Sequence, residues 1–137
     1  MTVETMPDVE GGVRAFLRAD PDVAALVGNR VFFGVPTSTV FPLVTVSRVG
    51  GGDDPSEAAV DLAVLTVQCW GEMRDKAGAY LLANTVRSAL RNVRGRTQFA
   101  DDCWCHGATV DGLFYSPDPT QDRPRYVLTI RVTATAT

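Results

Sequence analysis

The stretch RYVLTIRVTA, residues 125–134, carries the cleanest alternation in the chain. Tyr126, Leu128, Ile130 and Val132 point one way; Val127, Thr129, Arg131 and Thr133 point the other. That period of two belongs to a β-strand with one face on a core. Such a face must be covered by a second layer, and the rest of the chain is read for the elements that supply it.

Immediately before it, residues 116–124 hold Pro117, Pro119 and Pro124 and form a turn segment. Residues 106–115 read as a second strand, interrupted by Gly107 and Gly112. Further back, residues 74–93 give the longest helix. Ala79, Leu82, Val86, Ala89, Leu90 and Val93 recur at helical spacing and make its buried stripe, and Gly95 stops it. Arg87, Arg91 and Arg94 fall on or near the polar side, with Arg96 just beyond.

Residues 61–70 alternate again, with Ala63, Leu65, Val67 and Cys69 on one face. Residues 43–49 are a β-branched run that reads as a strand. Between the two lie Gly50, Gly51, Gly52, Asp53, Asp54, Pro55, Ser56 and Glu57, a composition in which no regular element is expected. Strand, loop and strand predict a long antiparallel hairpin with a flexible tip. A further strand is expected over 30–35, ending at Pro36. Asp20 and Pro21 have the N-cap and first-turn chemistry of a short helix over 21–27 that closes at Gly28. Residues 8–19 form the opening helix, on a stripe of Val9, Val13, Phe16 and Leu17. Gly11 and Gly12 cost it about 1 kcal/mol each, so packing must hold it. The order predicts an α+β domain spanning 1–137. Its sheet is mostly antiparallel or mixed, with about five strands, and helices pack on one face.

With 137 residues, 45% of them apolar and 21% charged, the chain has ordinary globular composition. The net charge of −3 does not call for nucleic acid. Nearly all the positive charge is arginine, Lys76 being the only lysine, and arginine suits planar contacts at protein interfaces. No apolar run approaches the roughly 20 residues that span a bilayer, and Glu4, Asp8, Glu10 and Arg14 break any signal-peptide core, so no membrane partner is expected. Cytosolic synthesis is expected, with Cys69, Cys103 and Cys105 reduced.

The densest chemical cluster is Cys103, Trp104, Cys105 and His106. It suggests a zinc site or a thiol–imidazole pair. A structural zinc site needs four ligands, and the additional candidates, Cys69, Asp101 and Asp102, match no standard spacing. His106 is the only histidine, and no nucleophile elbow, paired-carboxylate motif or phosphate loop accompanies it. Neither catalysis nor a cofactor nor a metal is expected. The arginine run from Arg87 to Arg96 could meet phosphates, but a solvated helix end accounts for it equally.

Several segments in order resemble the tail-completion, or tail-terminator, proteins of siphophages. They are DPDVAALVGNRVF at 20–32, FPLVTVSRVG at 41–50, VQCWG at 67–71 leading into the helix over 77–90, PDP at 117–119, and RYVLTIRV at 125–132. Residues 95–106 and 134–137 carry no part of the likeness. The resemblance implies a virion protein assembled in the host cytoplasm. It implies a ring, commonly hexameric, at the head-proximal end of the tail tube. Such a ring stops tube polymerisation, offers the head connector a docking surface and lets DNA pass without sequence-specific binding. Its partners would be copies of itself, the tube protein and the head-completion connector. A neck connector of the same particle is the alternative role; a small thiol enzyme using Cys103, Cys105 and His106 is the alternative of another class. The residues expected at subunit or tail interfaces are Arg48, Gly50, Gly51, Gly52, Asp53, Asp54, Pro55, Ser56, Glu57, Trp70 and Arg74. In that reading Arg48 or Arg74 pairs with tip carboxylates of a neighbour, and Trp70 is an anchor.

Overall fold

In the computed structural model, which describes residues 5–53 and 59–137, the strand read first is a central one. The helices are α1 (Val9–Ala19), α2 (Pro21–Val27) and α3 (Lys76–Arg91). The strands are β1 (Val31–Phe32), β2 (Leu43–Asp53), β3 (Asp61–Trp70), β4 (Thr97–Ala100), β5 (Cys103–Tyr115) and β6 (Arg125–Thr135). They form one sheet in the order β1-β2-β3-β6-β5-β4. The β1–β2 pair is parallel and every other pair antiparallel, so the sheet is mixed.

Register puts the apolar residues on one face. Val46 lies opposite Val67 and Val67 opposite Leu128; Leu65 lies opposite Ile130 and Ala63 opposite Val132. All are buried, and they share one core with Val9, Val13 and Leu17 of α1, Val23 and Val27 of α2, and Leu82, Val86 and Leu90 of α3. Thus α1, α2 and α3 pack on one face, as the alternation at 125–134 requires. The sheet curls, because α1 touches β1 and β2 on one side and β4 and β5 on the other.

Capping sets the helix limits. The Asp8 carboxylate accepts from the Gly11 N–H, and that of Asp20 from the Asp22 and Val23 N–H groups. α3 begins two residues later than expected, since Arg74 sits at φ 65° and Asp75 is the cap, accepting from Gly78 N–H at 2.9 Å. Asn92 closes it ahead of Val93.

Three expectations need correction. First, the strand expected over 30–35 shrinks to Val31–Phe32, because Phe33 and Val35 turn to solvent and only Val44 and Thr45 lie opposite β1. Second, the described residues hold six strands. β4 lies between the expected helix stop at Gly95 and the strand expected from residue 106, held to α1 by Phe99 stacked on Phe16 with ring centroids 4.4 Å apart; β5 begins at Cys103, not His106. Third, Gly50, Gly51, Gly52 and Asp53 continue β2, opposite Val64, Ala63, Leu62 and Asp61. A bulge after Arg48 re-aims the strand, and Gly51 takes φ +94°, where a Cβ would lie 2.9 Å from the Ala63 Cα. Glycine there serves a bulged strand rather than a loose loop. Asp54, Pro55, Ser56 and Glu57 lie outside the described residues.

Candidate assembly surfaces

The residues expected at interfaces fall into two groups at opposite ends of the β2–β3 hairpin. Arg48 and Gly50 to Asp53 lie toward the Asp53–Asp61 end, Trp70 and Arg74 at the end where Trp70 faces Leu43. The length of β3 sets the two ends roughly 30 Å apart, and Arg48, opposite Leu65, lies between them.

At the first end, the Arg48 guanidinium grips Asp61 two-handedly, with Nη2 2.8 Å from Oδ1. Hydrogen bonding to Asp61 raises the Arg48 pKa; partial burial opposes this, and the charges of Asp61, Asp53 and Glu10 add to it. The Arg48 backbone N–H donates to Glu10 Oε2 at 2.7 Å, tying the strand edge to α1. Arg48 is therefore engaged within its own chain. Its side chain is 34% exposed while that of Asp61 is 6% exposed, so Asp61 is the buried partner.

At the other end, Trp70 donates from Nε1 to Thr45 Oγ1 at 3.2 Å, and Arg125 lies over its ring at 4.7 Å. Arg123 lies over Phe41 at 3.6 Å, and Phe41 leans on Trp70. These residues form a half-buried layer of cations and rings across the sheet end. Trp70 is thus packed within its own chain.

The Cys103–His106 cluster is split by strand alternation. Cys103 and Cys105 point into the core with 0% exposure, while His106 is exposed and its Nε2 lies 2.7 Å from Thr135 Oγ1. Burial pushes the Cys103 thiol up to about 12, with the negative charges of Cys105 and Asp102 adding to it; burial likewise raises Cys105 and Cys69. Buried thiols held protonated are poor nucleophiles, and a histidine aimed the other way cannot activate them. No group of three His, Cys, Asp or Glu side chains suited to a metal ion occurs among the described residues.

Three surfaces were not foreseen. One is an aromatic cluster. Tyr126 contacts Tyr80 at 5.4 Å and Tyr115 at 5.0 Å, and Lys76 lies over Tyr115; Tyr80 and Tyr115 are exposed. Another is a groove of about 710 Å³ between the end of α3 and β5, bordered by Arg87, Arg91 and Arg94. A second groove, of about 750 Å³, separates α3 from Phe16 of α1 and Leu26 of α2.

These features describe a sheet-and-helix protein with exposed apolar and charged faces. A solved structure described as the virion of native gene transfer agent (GTA) particle contains a chain with the same fold. The TM-score is 0.65 at 24% identity, covering 93% of this chain and 94% of that one. The family model for Tail completion protein gp17 matches residues 11–134, and the chain belongs to that family. No curated protein matches it.

Proposed function

We propose that this chain is the subunit of a ring, six copies around, seated at the head-proximal end of the tail tube of a phage or phage-like particle. There it caps the growing tube and presents the surface on which the head connector docks. Its partners are copies of itself, the tube protein below and the connector above, and DNA passes through the lumen. The observation that carries this reading is the tail-completion family match over nearly the whole chain. A net charge of −3 fits a lumen through which DNA slides without sticking. Tyr80, Leu81 and Phe114 are exposed, which fits a subunit that buries apolar side chains on assembly. A protein of this role works by shape and contact, consistent with the core position of Cys103 and Cys105.

The test is electron microscopy of particles made without the protein. A terminator leaves overlong tails. Normal-length tails that fail to join heads would assign the chain to the neck instead, and particles complete without it would refute both roles.

A further inference from the structure

Only three β5 residues, Cys103, Trp104 and Cys105, face the short strand β4 across the outer edge of the sheet. The remainder, from His106 to Tyr115, has β6 on one side and, among the described residues, no strand on the other. Unpaired strand backbone is a template for another extended segment. Beside this edge runs the α3 groove, with Arg87, Arg91 and Arg94 along its helical wall and Ala108 to Leu113 along its strand wall. The carboxylate at the strand wall, Asp111, is already paired with Arg131 at 2.6 Å. Among the described residues the three groove arginines make no ion pair, though Arg94 Nη1 donates to the Arg91 carbonyl at 2.6 Å. A free strand edge beside unpaired guanidinium groups selects an extended acidic segment.

The chain carries one such segment. The Gly50 to Asp53 end of β2 is in strand, exposed from Gly51 onward and nearly without side chains, and two more carboxylates follow in sequence at Asp54 and Glu57. It cannot serve its own groove. β2 and β5 are three strand positions apart, roughly 14 Å across the sheet. Asp53 also aligns through Asp61 and Ala134 with Cys105, beyond the strand wall of the groove.

We propose that the glycine-rich acidic end of the hairpin of one copy docks into the α3–β5 groove of the next. Its backbone pairs with the β5 edge, and its carboxylates meet Arg87, Arg91 and Arg94. The contact joins two different surfaces, so repetition runs head to tail and closes into a ring when the rotation allows. This rests on the ring reading and assigns its subunit contact. The glycines let the two backbones approach closely, and charge complementarity sets the register. Duplex DNA is the rival ligand for the arginines, but phosphates make no use of a free strand edge.

The experiment has two arms. In the first, a synthetic peptide of residues 49–58 is titrated against the intact protein, the Arg91→Glu/Arg94→Glu variant and the milder Arg91→Gln/Arg94→Gln variant, each checked for native circular dichroism. Binding to the wild type, weakened roughly tenfold or more by either substitution pair, supports the proposal. Equal binding to all three proteins, absence of binding to the wild type, or a duplex oligonucleotide taking the site with the peptide unable to compete overturns it. In the second arm, oligomer mass is read for Arg91→Glu/Arg94→Glu, for Asp53→Arg/Asp54→Arg, and for their mixture. Each alone should fail to assemble, while the mixture should recover rings of alternating copies. If wild type and both variants all form the same ring, the docking is wrong and the ring stands; if the wild type forms no ring, the ring reading falls, and the peptide still decides the docking.

Discussion

Gly12→Ala is the sharpest probe of how α1 meets the sheet. In an isolated helix alanine is favoured over glycine by about 1 kcal/mol, so propensity alone predicts stabilisation. Gly12, however, lies against β5. An added Cβ would sit 2.5 Å from Cys103 Sγ, 2.9 Å from Cys103 Cβ and 3.4 Å from Phe99 Cβ. The sulfur can rotate, but the Cys103 Cβ is fixed by a strand paired with β4 at that residue and with β6 from Trp104 onward. Overpacking of this kind costs about 1–3 kcal/mol, which outweighs or cancels the propensity gain. The expected net loss is about 1 kcal/mol, a fall in melting temperature of about 4 °C for a chain of this size. Gly11→Ala is the control, because there the Cβ meets the Asp8 carboxylate, which can move at the cost of its cap. Cap loss and propensity gain are each about 1 kcal/mol and offset. Urea denaturation followed by circular dichroism should rank wild type and Gly11→Ala together above Gly12→Ala. Cys103→Ala in the Gly12→Ala background should recover part of the loss. A Gly12→Ala protein as stable as the wild type or more so would refute the close approach of α1 to β5.

Leu128→Ala should cost about 2–5 kcal/mol, since Leu128 is fully buried, whereas Thr129→Ala, on the opposite face, should cost little; equal losses would mean the strand face is misread. Arg48→Ala should destabilise more than Asp61→Ala, by about 3 against about 1 kcal/mol, because the first strands a buried carboxylate and the second frees a guanidinium that can hydrate. The reverse order in denaturation would contradict the burial of Asp61. The cysteines should resist alkylation in the native protein at pH 8 and react on unfolding. Their raised folded pKa values mean the unfolded chain loses thiol protons first. Stability should thus be unaffected by them below pH 8 and should fall as pH rises from about 9 toward the folded value of about 12 at Cys103. Rapid native labelling of Cys103 would exclude the inward orientation.

Features that need only neighbouring residues are the legible ones. The Asp20–Pro21 start needs only a side-chain acceptor and a missing N–H, both visible in two adjacent residues. Residues 61–70 and 125–134 declare their buried faces because each strand alternates along its own length. What failed depends on partners distant in sequence. β4 has a single buried apolar side chain, Phe99, and becomes a strand because Phe16 and β5 are there to receive it. The glycine run reads as a loop by composition, yet β3 supplies a full ladder opposite Gly50, Gly51 and Gly52. The placement of the proposed interface residues was partly legible. Acidic and glycine residues mark the hairpin end, but the Arg48–Asp61 pair is formed across a strand ladder that no local pattern announces. The groove beside β5 required knowing which strand edge is left open. The basic run Arg87, Arg91 and Arg94 was visible, and its strand wall was not.

The most direct test of the central claim is cryo-electron microscopy of purified complete particles, with this fold searched for along the tail axis. One closed ring of six copies is expected, between the last tube ring and the head connector. Finding the fold at the distal tail tip, repeated along the tube, or as an isolated single copy would contradict it.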